Sequence, residues 1–114
     1  MTVREDVVAA LAGVAGDRVY PQVAPADAPL PFVVYRVLNE EPYGTLSGSV
    51  ATTRYSFAFD CYADSLKGAE QLASDVETAL EGSTLIAVRE SSPGDEYEYP
   101  SDVFVESVYY SVWR

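Results

Sequence analysis

Between Arg54 and Cys61 the side chains alternate without interruption. Tyr55, Phe57, Phe59 and Cys61 fall on one row, and Arg54, Ser56, Ala58 and Asp60 on the other. A period of two places alternate residues on opposite faces, so this run reads as a half-buried β-strand with its aromatic row against a core. One strand is not stable alone, so the chain must build a sheet and cover at least one face of it. Two helical patterns supply the cover. Val3, Val7, Leu11 and Val14, with Val8 alongside, repeat at helical spacing over residues 3–15. Thr2 stands as N-cap, Glu5 follows three residues later as in a capping box, and Gly16 is the expected stop. After Asp64 or Ser65, either of which can cap, Ala69, Leu72, Ala73, Val76 and Leu80 form a second apolar stripe that Gly82 should end.

Three more runs read as strands. Phe32 to Leu38 is apolar on both faces except at Arg36, and Thr84 to Glu90 is short. Val103 to Trp113 carries two partly apolar rows, Phe104, Val108, Tyr110 and Val112 against Val105, Ser107, Tyr109 and Trp113, which predicts cover on both faces. "EEPYGTLSGSVA" reads as a loop or hairpin tip and "SSPGDEYEYPSD" as a polar excursion. Between the first helix and the first strand lies "RVYPQVAPADAPLPFVVYRV", with Pro21, Pro25, Pro29 and Pro31 inside eleven positions. Prolines deny backbone donors, so this segment is expected to run over the surface without joining a ladder. The fold expected is α+β: a single domain over residues 1–114, with a mostly antiparallel four-stranded sheet and two helices on one face, in the order α-β-β-α-β-β.

Charge sets the partners. Eighteen acids against seven bases give a net charge of −11. Asp64 to Glu106 holds eleven of the acids and only Lys67 and Arg89 among the bases. Such a chain should repel nucleic acid phosphates and anionic membranes. Part of this acidity can simply serve solubility. The second helix carries Glu70, Asp75, Glu77 and Glu81 against Lys67 alone; acids late in a helix oppose its dipole, which hints at a use outside the helix. With Arg4, Glu5 and Asp6 in its first turns, the N-terminus lacks the apolar stretch of a signal peptide or membrane span, so a soluble, unexported protein is expected.

Catalytic and cofactor chemistry is poorly provided for. There is no histidine, and Lys67 and Cys61 are the only residues of their kinds. Cys61 lies on the aromatic row, where a buried small hydrophobe is the default, and a lone cysteine suits a reducing compartment. "GTLSGS" lacks the Gly-Lys-Ser/Thr ending of a phosphate loop. Asp95, Glu96, Glu98 and Asp102 invite a calcium site, but their spacing is not that of a calcium loop, and a solvated hairpin tip or partner contact suits them better. No catalytic residue, cofactor or metal is expected.

Nine tyrosines are more than one small core hides with every hydroxyl satisfied, and large amphipathic rings suit subunit interfaces. Tyr97 and Tyr99, alternating with Glu96 and Glu98, suit a strand edge or arm offered to a neighbour; cross-strand aromatic pairing within the ribbon is the alternative.

The order of these pieces, carried by "RVYPQVAPADAPLPFVVYRV" and "TTRYSFAFDCYADSLKGAEQLASDVETALEG", resembles the tail completion, or tail terminator, family of long-tailed bacteriophages and phage-like particles. The likeness spans residues 3–113 and carries no catalytic signature. It implies a structural virion protein that assembles as a ring, usually of six copies, on the head-proximal end of the tail, with sheathless-tail components among its possible partners. Its partners would be further copies of itself, the tail tube protein and the neck or head-closure protein. DNA would transit the lumen without specific binding, and the host cytoplasm would be the site of assembly. In that setting Tyr20, Pro25, Pro29, Tyr43, Tyr97 and Tyr99 become candidate contacts with a neighbouring subunit, the tube or the neck, and Glu70, Asp75, Glu77 and Glu81 a candidate acidic lumen. A neck or head-closure connector of the same particle is the alternative.

Overall fold

The computed structural model describes residues 2–43, 52–90, 95–98 and 103–113. Helix α1 (Val3–Ala10) begins at the expected capping box: Thr2 Oγ1 accepts from the Glu5 N–H at 3.2 Å, and Glu5 Oε1 accepts from the Thr2 N–H at 3.0 Å. It ends earlier than the apolar spacing predicts. Leu11 closes it, Gly13 turns left-handed at φ +87°, and Val14–Asp17 forms a 3-10 turn. Leu11 and Val14 still reach the core, so the apolar period survives the break in the helix. The Asp17 carboxylate accepts from the Gly13 N–H at 2.6 Å and ties the turn together.

The strands are β1 (Val19–Pro21), β2 (Phe32–Tyr43), β3 (Thr52–Ala63), β4 (Ile86–Arg89), β5 (Asp95–Glu98) and β6 (Val103–Trp113), with α2 (Leu66–Glu81) between β3 and β4. They form one mixed sheet in the order β1-β2-β3-β6-β4. β5 and β4 pair in turn with the two ends of β6, at Val103–Glu106 and Tyr110–Trp113. The expected four antiparallel strands are therefore corrected to six. The first addition comes from the proline segment, where Val19, Tyr20 and Pro21 pair in parallel with Val33, Val34 and Tyr35. A proline is tolerated there because Pro21 ends a three-residue edge strand, where no ladder donor is asked of it. The rest of the segment, residues 22–31, stays outside the ladder as expected. The second addition is β5, drawn from the polar excursion. Both strands of the central hairpin also run further than the alternation marked, to Tyr43 and from Thr52, with a bulge at Leu38. Residues 44–51, including "GTLSGS", lie outside the described residues.

α2 follows the sequence reading closely. Ser65 caps it, its Oγ accepting from the Gly68 N–H at 3.0 Å, and Gly82 closes it. Its stripe of Ala69, Leu72, Ala73, Val76 and Leu80 is buried. Both helices lie on one face, over Val33, Tyr35, Phe57, Phe59, Cys61, Val108, Tyr110 and Val112. Phe57 and Phe59 are fully buried, and Phe59 meets the Tyr110 ring edge-on at 5.9 Å. Among the described residues no helix covers the opposite face. Its small residues Ala58, Ser107 and Ser111 are nonetheless buried, sunk among Arg36, Arg54, Tyr62, Tyr109 and Trp113. The expectation of cover on both faces of β6 holds: helices cover one row, and larger neighbouring side chains hide the second.

The break after α1 gives a test with two signs. Gly13→Ala meets no atom within 4 Å, so its cost is the left-handed backbone alone, about 1 kcal/mol. Ala15 sits at φ +53° with a Cβ already present, so Ala15→Gly should stabilise by about the same amount. Urea unfolding midpoints of the two variants read both.

Candidate assembly surfaces

The uncovered face is held by charged side chains. Asp60, on β3, is 8% exposed and accepts from Arg36 Nε at 3.1 Å and Nη2 at 3.4 Å, and from Ser107 Oγ at 2.6 Å. Register makes the cluster, because Val34, Asp60 and Ser107 lie abreast on β2, β3 and β6. Further along the same face, Arg54 donates from Nε to Ser111 Oγ at 3.0 Å and from Nη1 to Glu41 at 3.2 Å, and its Nη2 lies 3.6 Å from Glu90. Ser111 in turn donates to Glu90 at 2.7 Å. Neither cluster was assembled from the sequence. The outward row of β3 named Arg54 and Asp60, but only register could say which neighbours they meet.

Beside these clusters lie exposed apolar groups. Ile86 and Val88 of β4 are 66% and 53% exposed, facing the same side as Trp113 and Ser111 by register. At the far end of the sheet Tyr20 packs edge-on against Phe32 at 5.9 Å, and Phe32 stacks on Tyr62 at 4.8 Å. The segment bearing Pro25 and Pro29 passes beside this trio, with both prolines exposed, and leaves a groove of about 360 Å³ lined by Pro25, Ala28, Leu30, Phe32, Tyr62 and Val103. Tyr20, Pro25 and Pro29 therefore gather at one end. By backbone register β5, which contains Tyr97, lies toward that end, whereas Tyr43 pairs with Thr52 at the other. Tyr99 and Asp102 fall outside the described residues.

Helical geometry sorts the acids of α2. Glu70, Glu77 and Glu81 are spaced by seven and four residues and share one row, while Asp75 lies on the other flank. Glu77 pairs with Arg89 of β4 at 3.1 Å. Asp75, accepting from Gln71 at 3.0 Å, borders a groove with Ala15, Pro31, Ala63 and Asp64. Glu70, Asp75 and Glu81 are exposed and Glu77 is partly covered.

Cys61 is fully buried, and burial pushes its thiol pKa far above the ordinary range, so the thiolate is not available. Burial likewise pushes the Tyr110 phenol up to about 12. Among the described residues no three Cys, Asp or Glu side chains gather as a metal site.

Surface clusters, exposed apolar strand residues and shallow grooves are features suited to contact between surfaces. The chain belongs to the tail completion protein gp17 family, whose profile matches residues 4–113. It is accordingly a structural virion protein with a role in tail completion, and not an enzyme. Among 16 matching chains of known structure, its fold is similar to one in the virion of a native gene transfer agent particle. The TM-score is 0.58 and the identity 22%, over 97% of this chain and 87% of that one. No curated protein matches.

The Asp60 cluster yields a graded prediction. Arg36→Ala leaves the buried Asp60 carboxylate with Ser107 alone and should cost about 3 kcal/mol, near the range for breaking a buried pair. Asp60→Ala should cost less, because Arg36 is 38% exposed and can turn to solvent once its partner is gone. A double-mutant cycle followed by thermal unfolding measures the coupling.

Proposed function

We propose that the protein is a tail terminator: a ring, six-fold as the family resemblance implies, that sits on the head-proximal end of the tail tube, ends its growth and offers the surface to which the neck or head-closure protein joins. The family match across residues 4–113 carries this reading. The composition supports it. DNA must pass such a ring without sticking, and a lumen lined by carboxylates repels phosphates. The row of Glu70, Glu77 and Glu81, with Asp75 on the adjacent flank, is the proposed lumen. Tyr20, Pro25 and Pro29 at one end of the sheet, Tyr43 at the other, and Tyr97 and Tyr99 around β5 are the proposed contacts with neighbouring subunits, tube or neck. The proline segment suits such a contact, since a pre-ordered arm loses little entropy on docking.

Electron microscopy of particles lacking this gene product tests the role. Overlong tails or unjoined heads and tails are expected, and normal infectious particles would overturn it. Tails of normal length on unjoined heads, with the protein located at the portal, would instead identify a neck connector. The lumen has its own test in the quadruple variant Glu70→Gln, Asp75→Asn, Glu77→Gln, Glu81→Gln. Assembly should be preserved and DNA release slowed; unchanged release would remove the lumen assignment.

A further inference from the structure

Among the described residues the sheet keeps two open edges. On one side β1 covers only Val33–Tyr35 of β2, and Gln22, at φ +65°, turns the chain off that edge. The stretch of β2 beyond it, Arg36 to Glu41, has no strand on its outer side, and Pro42, which lacks an N–H, closes it. On the other side β4 pairs with β6 alone. Its outer edge has no proline, lysine or bulge to guard it, and its one charge, Arg89, is turned back to Glu77 of α2. Ile86 and Val88 stand 66% and 53% exposed there.

Register sets the two edges at one height. Glu41, Arg54, Trp113 and Ile86 lie abreast across β2, β3, β6 and β4, as do Val37, Phe57, Tyr110 and Arg89. All three pairings are antiparallel, so β2 and β4 run antiparallel to each other. Their outward backbone groups are also in phase. The Val33 N–H and the Tyr35 carbonyl point outward, to the β1 side. Alternation carries this direction to Val37, and the bulge at Leu38 passes it on to Glu40. The Glu90 N–H points inward to the Tyr109 carbonyl, so Arg89 and Ala87 point outward. Ala87 is level with Glu40, and Arg89 with Val37. A rotation about an axis parallel to the strands therefore brings β4 of one copy beside β2 of the next with no shift along them. Such a head-to-tail contact closes into a ring, where one with a shift would run on as a filament. At the same height Glu90 of one copy faces Arg36 of the next on the uncovered side, where they are 47% and 38% exposed, so unlike charges meet at the joint.

We propose that β4 of one copy adds as an antiparallel strand to the open edge of β2, Arg36 to Glu41, in the next, and so joins the sheets of successive copies into one. The assignment rests on the ring reading and specifies its subunit contact.

Asn39 and Val88 are exposed, lie level, and take non-hydrogen-bonded positions at this joint, where Cβ atoms come within disulfide reach. Within one chain they stand three strand spacings apart, roughly 14 Å, too far to bridge. Native Cys61 is buried. With Asn39→Cys and Val88→Cys in one chain, mild oxidation of purified tails should give a ladder of covalent multimers that ends at a closed ring, while each single variant stays monomeric. A ladder that stops at dimers, or a cross-link to a different tail protein, overturns the contact. So does an absent cross-link when microscopy still shows a ring of this protein, in which case the ring reading survives. Absence of any ring removes the ring reading and this contact with it. Ala87→Pro gives independent evidence. The N–H it removes faces the joint and not β6, so the variant should keep its fold by circular dichroism while the yield of complete particles falls about tenfold or more. An unchanged yield overturns the pairing, and if the proline unfolds the chain the cross-link alone decides.

Discussion

The buried row of Phe57, Phe59 and Cys61 decides where everything else can go. β3 is paired from end to end, with β2 on one side and β6 on the other, so its aromatic face cannot turn toward solvent without breaking two ladders. Both helices must therefore converge on that face, and they do: Val3, Val7 and Leu11 from one, Leu72, Val76 and Leu80 from the other. Because all the helical cover is spent there, the second face is left to side chains alone. Small residues sit at its centre, and arginine–carboxylate pairs bind neighbouring strands across it. A sheet covered on one side only has a flat face still available, which is what a protein that works by contact requires.

Features written in local periodicity were legible in the sequence. The capping box of α1, the Ser65 cap and apolar stripe of α2, and the alternation of β3 depend on neighbours within a turn or two, and each appears as its spacing predicts. Features set by register or by backbone sign were not. Val19–Pro21 carries two prolines' worth of contrary signal around it, yet it joins β2 because three parallel pairs need only an edge position. The end of α1 was placed late because Leu11 and Val14 keep the helical period while Gly13, φ +87°, breaks the backbone beneath them. At the candidate surfaces the residue types were visible but their company was not. Four acids of α2 read as one set, and the helix divides them three to one between its flanks. Arg36, Arg54 and Asp60 read as a polar row, and cross-strand register turns them into two clusters.

Register also changes what the net charge means. Of seven basic residues, Arg36, Arg54 and Arg89 are already committed to carboxylates of the same chain. The acids they neutralise lie on the uncovered face or between β4 and α2. The outer side of α2 keeps Glu70, Asp75 and Glu81 exposed with Lys67 as the helix's one base, so part of the surplus of −11 belongs to a particular surface.

Such segregation bears on how copies of a strongly acidic chain can associate at all. At physiological ionic strength charges more than about 8 Å apart are largely screened, so repulsion between subunits is decided at the contact itself. A contact between two α2 faces would set like charges against each other. A contact that leaves α2 out avoids that repulsion, and the α2 rows are then free to point elsewhere. On the ring reading that elsewhere is the channel, and the same segregation then performs two tasks: it chooses which sides of the subunit can touch, and it keeps the passage hostile to phosphate. An interface resting on so few cations would be weak between free subunits, and alignment on the tube end would supply the local concentration it lacks. Ring closure would thereby be tied to the presence of a finished tube, which is the condition a protein that ends tube growth has to sense.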